Sequence, residues 1–143
     1  MKKLMIGILG LTLAVACNSG ETDAKVENTE NEKTVTIVRE DINPMEAQEL
    51  INSDDVVILD VRSEDEFSSG HLKGAINMDI NAEGFNYAIA DLENTKKYVV
   101  YCQSGRRSAA AMEQMMNVGF TNVYNILGGI NEWQGTGFEV VTE

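Results

Sequence analysis

Strand and helix signals alternate from residue 34 onward, which predicts an α/β domain with a mostly parallel sheet flanked by helices on both faces. Two apolar runs of β-forming residues, VVILD at 56–60 and YVVY at 98–101, have the unbroken hydrophobicity of strands buried on both sides. No internal repeat is visible, and 143 residues suit a single domain.

The elements follow in order. TVTIV at 34–38 alternates as a strand. Asn43, Pro44 and Glu46 read as an N-cap, a first-turn proline and an acidic third position, opening a helix that runs to about Asn52. After the strand at 56–60, Ser63 and Glu66 fit a capping box, so a short helix ends near Gly70. A weaker strand is expected at 75–78 and a helix at 82–92, despite Gly84. Beyond the strand at 98–101, residues 108–118 form a strong helix closed by Gly119. A last strand at 123–126 and a short helix at 130–134 complete the domain.

The residues before 34 are of another kind. MKKLMIGILGLTLAVAC has a basic start, an apolar run from Leu4 to Ala16 and a small residue before Cys17, the anatomy of a secretory signal too short for a comfortable membrane span. Its ending, AVAC, resembles a bacterial lipobox, although Leu13 lies four residues before Cys17 where leucine usually lies three before. The expectation is a signal peptide over 1–16, a lipidated Cys17 anchoring the chain to a membrane of the cell envelope, and a domain outside the cytoplasm. Residues 18–33 carry almost no apolar side chains and five acids, so they read as a tether. Its flexible reach is roughly 20–24 Å, extended further by charge repulsion. The folded domain is then 34–143.

Apolar residues make up 43% of the chain and charged ones 24%, both ordinary for a globular protein. The formal net charge of −12 leaves no basic stripe to neutralise phosphates, which argues against nucleic acid as a partner. Adjacent Arg106 and Arg107 therefore stand out as a local cationic spot.

They follow Cys102 in CQSGRRS, a polar loop between a strand and a helix. In parallel sheets ligands collect at the carboxyl ends of strands, where this cysteine lies. Gly105 lets the backbone curl so that amides turn inward, and the following helix adds its positive dipole end. A cysteine at a helix N-terminus beside arginine has its pKa drawn from about 8.5 to about 3.5–7.5, and the thiolate is the nucleophile. Inert buried cysteines prefer apolar surroundings, which this one lacks. With Cys17 acylated, Cys102 has no disulfide partner within the chain. Two cysteines and the single His71 cannot supply an ordinary zinc site, so no metal is expected. Neither spacing nor flanking residues support a Cys–His hydrolase.

Three segments, in order, resemble the rhodanese sulfurtransferase superfamily over roughly residues 43–140. VVILDVRSEDEFSSGHLKGAIN (56–77) is similar to its strand, Asp-Val-Arg, Gly-His and Gly-Ala-Ile-Asn stretch. VVYCQSGRRS (99–108) is similar to its active loop, with glycine third and arginine fifth after cysteine. NVYNILGGINEWQGTGF (122–138) is similar to its closing Leu-Gly-Gly and tryptophan segment. The resemblance implies a five-stranded rhodanese-like sheet, a persulfide formed on Cys102 and a cradle made by Gln103, Ser104, Gly105, Arg106 and Arg107. Asp60 and Arg62 match the Asp-Val-Arg positions and are expected as a structural ion pair that anchors the loop. Glu66 is expected as a helix cap, His71 as a satisfied structural histidine, and Trp133, Met112, Met115 and Met116 as core.

The implied reaction moves a sulfane sulfur from a small anionic donor such as thiosulfate to a cellular thiol or cyanide, with no cofactor and the chain acting as a monomer. Within the loop, Arg107 is expected to brace the backbone and Arg106 to face solvent and attract the donor. Two alternatives stay open. One is a phosphatase or arsenate reductase, although four residues separate Cys102 from Arg107 where cysteine phosphatases place five. The other is a non-catalytic persulfide carrier or docking module.

Overall fold

A computed structural model describes residues 34–53 and 55–142. The signal peptide, Cys17 and tether expected over 1–33 lie outside the described residues.

Five strands, β1 (Val38–Ile42), β2 (Val56–Asp60), β3 (Ile76–Asn77), β4 (Lys97–Tyr101) and β5 (Asn122–Ile126), form one sheet in the order β1-β5-β4-β2-β3. Every pairing is parallel. Helices α1 (Pro44–Ser53), α2 (Glu64–Ser69), α3 (Phe85–Ala90), α4 (Arg106–Asn117) and α5 (Gly129–Gly135) connect the strands or follow the last one.

The period-2 geometry of the strands sorts their side chains into two cores. Leu59, Tyr98, Val100 and Val123 face α3 and α4, where they meet Phe85, Ile89, Met112 and Met115. Ile58, Val99, Tyr101 and Ile126 face α1 and α5, where they meet Ala47, Ile130 and Trp133. The expected core places of Trp133, Met112 and Met115 are occupied as such, with Met116 packed at the margin.

Local sequence explains the helix starts. Asn43 and Glu46 exchange reciprocal hydrogen bonds at 2.8 and 3.0 Å, and Ser63 and Glu66 do the same at 3.1 and 3.3 Å. Each pair satisfies amides that a helix start leaves open.

Three elements depart from expectation by two residues or more at a boundary. The first strand is VREDI rather than TVTIV: Val38 pairs with Asn122, the first residue of β5, and the exposed residues 34–37 have no ladder partner among the described residues. A charged β1 also suits its place at the sheet edge, where Arg39, Glu40 and Asp41 discourage pairing with another chain. The helix expected over 82–92 shrinks to Phe85–Ala90, its start set by Gly84, which takes φ 135° and cannot continue a helical turn. The helix expected from 108 begins at Arg106, directly after Gly105 in a left-handed conformation.

Candidate active site

The carboxyl ends of β2, β4 and β5 bring the three sequence segments together. Cys102 follows β4 and is 1% exposed. Its Sγ accepts a hydrogen bond from the Gly105 amide at 3.1 Å and one from Ser108 Oγ at 3.4 Å. Burial pushes the thiol pKa up, but the Ser108 hydroxyl and the amides of Ser108, Ser104 and Gly105 outweigh it. The net shift is downward, toward thiolate. Dipoles of the loop and the first turn of α4 thus carry the main stabilisation of a negative sulfur.

The two arginines have separate places. Both lie in the first turn of α4, where a cation opposes the helix dipole. Arg107 meets this with a bidentate pair to Glu66, at 2.7 and 2.8 Å, while Arg106 is exposed. The Arg107 guanidinium is held charged chiefly by that hydrogen-bonded pair, burial opposing it and Cys102 adding a smaller effect. Glu66, held by Arg107 against the cost of burial, falls to about 2. Glu66 is therefore both the cap of α2 and the clamp on Arg107, and only the first role was legible in the sequence.

Asp60 and Arg62 form the expected ion pair, both buried, with Arg62 Nη2 at 2.6 Å from Asp60 Oδ2. The same guanidinium donates to the Gly70 carbonyl at 2.7 Å and to Gln103 Oε1 at 3.2 Å, which ties the pair to the loop. Gln103 Nε2 donates in turn to Asn131 Oδ1. Ser104 is exposed at the crest of the loop. His71 is held structurally: its ring stacks on Phe67 at 3.7 Å, its Nδ1 meets the Phe67 carbonyl at 2.9 Å, and its backbone bridges to Val141.

The Leu-Gly-Gly segment closes the site from the other side. The Ile130 amide donates to the Cys102 carbonyl at 2.9 Å and the Asn131 amide to the Gln103 carbonyl at 3.2 Å. Such approach requires Gly129, which has φ 59° and whose position admits no Cβ without collision with the backbone of Cys102 and Gln103. Ser108, Gly129, Ile130 and Asn131 were not singled out from sequence as loop supports; the Gly-Gly pair was the available signal.

Two cavities among the described residues bear on where the chemistry lies. The larger, about 420 Å³, lies among residues such as Ile51, Leu72, Trp133 and Phe138 and includes no residue of the cysteine loop. The smaller, about 250 Å³, has Gln103 in its wall and is the one that adjoins the chemistry.

The chain resembles known proteins in sequence and in fold. Residues 43–136 match the family model described as Rhodanese-like domain, and the chain belongs to that family. Thiosulfate sulfurtransferase GlpE of Coxiella burnetii is 32% identical over 93 residues, covering 65% of this chain and 85% of its own. Thiosulfate sulfurtransferase 16, chloroplastic, of Arabidopsis thaliana is 39% identical over 89 residues, covering 55% and 74%. Among solved structures, a rhodanese-related protein from Thermoplasma volcanium superposes with a TM-score of 0.65 at 35% identity, covering 73% of this chain and all of its own.

Proposed function

We propose that the protein is a thiosulfate-type sulfurtransferase working through a persulfide on Cys102. The carrying observation is the buried sulfur that accepts hydrogen bonds from Gly105 N and Ser108 Oγ at the start of α4. In the first half-reaction the Cys102 thiolate attacks the outer sulfur of thiosulfate. The sulfur–sulfur bond of the donor breaks, sulfite leaves with its electron pair, and the persulfide anion remains in the dipole cradle. In the second, cyanide or a thiolate attacks the outer sulfur and Cys102 departs as thiolate. No metal, cofactor or external redox partner enters this balance.

The commitment of Arg107 to Glu66 favours sulfur over phosphate chemistry, because the arginine that would grip a phosphoryl group is already paired. Mass spectrometry of the full chain after thiosulfate treatment should show a gain of about 32 Da on the peptide containing Cys102. Cys102→Ala should abolish both the adduct and turnover, and sulfur transfer by that variant would refute the mechanism.

The remaining reading concerns place. A chain processed at Cys17, anchored by lipid and carrying residues 34–143 as a monomer outside the cytoplasm accounts for the AVAC ending and the acidic stretch after it. Fatty-acid labelling should mark the native chain and not Cys17→Ser; label retained by that variant would remove the anchor from the proposal.

A further inference from the structure

The larger cavity lies on the α1 and α5 side of the sheet and has no residue of the cysteine loop in its wall. At about 420 Å³ it falls within the roughly 300–1,000 Å³ of small-molecule sites. Buried Ile58, Leu72 and Trp133 and half-buried Ile51, Phe138 and Val141 make its body apolar. The Trp133 indole N–H already donates to the Glu139 carbonyl at 3.1 Å, so the ring offers the cavity apolar surface. Backbone hydrogen bonds at 2.9 and 2.8 Å join His71 to Val141 as an antiparallel bridge. Two residues from that bridge on either segment stand Lys73 and Glu139, both exposed and both in the cavity wall. Neither side chain forms an ion pair or hydrogen bond among the described residues, with the other or elsewhere. Gln48 and Asn52 are bonded to each other at 3.1 Å, which leaves these two charges as the strongest open groups.

An apolar body with one open charge of each sign at its mouth complements a molecule of the same make. A plain hydrocarbon would leave both charges unused, and an ion of one sign would meet a like charge. We infer that this cavity binds a small zwitterion with an aromatic or branched aliphatic body, the chemistry of an apolar α-amino acid. Its carboxylate faces Lys73 and its ammonium faces Glu139. Burial of the apolar body supplies most of the affinity, and the two exposed ion pairs, each of modest worth, supply the selection. The site is separate from the sulfur chemistry and stands whether or not Cys102 carries a persulfide.

Trp133 is the single tryptophan of the chain and lies in the cavity wall, so its fluorescence reports occupancy without any assay of activity. The test titrates the full chain with L-phenylalanine, with phenylpropanoate, which lacks the ammonium, and with phenethylamine, which lacks the carboxylate. Calorimetry gives a second readout. L-phenylalanine should bind saturably and about threefold or more tighter than either single-charge analogue, the weight of an exposed ion pair. Lys73→Gln should weaken L-phenylalanine about threefold and leave phenethylamine unchanged. Glu139→Gln should weaken L-phenylalanine to a similar degree and leave phenylpropanoate no weaker. Both positions are exposed, so neither variant disturbs the core. Cys102→Ala should bind L-phenylalanine as the native chain does. No saturable binding by either readout, equal affinity for all three compounds, indifference to both charge substitutions, or binding lost in Cys102→Ala would each overturn the site.

Discussion

Ser108 reaches the Cys102 sulfur with its hydroxyl at 3.4 Å, from within the helix that follows the loop. Read along the chain it is merely an early residue of that helix, because nothing local says which way a buried hydroxyl points. In the fold it is one of the main groups holding the thiol toward its anion, together with the Gly105 and Ser104 amides. Ser108→Ala should therefore raise the thiol pKa and reduce the thiolate fraction below it. Alkylation of Cys102 by iodoacetamide near neutral pH should slow about threefold to tenfold, the net weight of one ordinary hydrogen bond of about 1 kcal/mol. An unchanged pH profile of alkylation would show that the amides suffice alone. Cys102 itself was legible, since a rare residue beside a glycine and two arginines is a strong local pattern. The Glu66–Arg107 clamp was not, because its members are 41 positions apart and each has a sufficient local reading.

At the scale of elements, the cysteine loop is held between α2 and α5. Glu66 ties α2 to the first turn of α4, and the start of α5 donates two amides to the loop carbonyls. The second attachment depends on backbone proximity that only glycine permits at 129. Gly129→Ala should lose more than about 2 kcal/mol, since it combines a left-handed backbone with a collision against backbone atoms. Urea unfolding would measure it, and a loss below about 0.5 kcal/mol would mean the loop can move aside at little cost. The early start of α4 belongs to this scale too. Gly105 turns the chain directly into the helix and leaves both arginines in its first turn, where Glu66 offsets one charge and solvent the other.

For the whole molecule, a formal net charge of −12 makes acid behaviour informative. Glu66 is lowered from about 4.5 to about 2 by its partners in the folded state. A depressed carboxylate contributes stability that is fully present above its unfolded pKa and disappears as pH falls through the folded value. Glu66→Gln should thus be less stable than the native chain at pH 7. With both partners about a third exposed, solvent screening limits the deficit to about 1 kcal/mol. The deficit should shrink as pH falls from about 4.5 toward about 2, and urea midpoints at pH 7, 4 and 2.5 would follow it. A difference that stays constant over that range would assign the effect to capping alone.

The order of elements, the buried central strands, the helix caps at Asn43 and Ser63 and the cysteine loop were decided by the sequence itself. Each depends on neighbours within a turn or a strand, where hydrophobic period and side-chain chemistry act directly. Tertiary structure alone decided where β1 begins, because a strand extends only as far as its partner. It alone brought Asp60 and Arg62 to Gln103, Glu66 to Arg107 and the Gly-Gly turn to Cys102. Those contacts join segments distant in sequence, and parallel strands place them at one edge of the sheet only after the whole chain has folded.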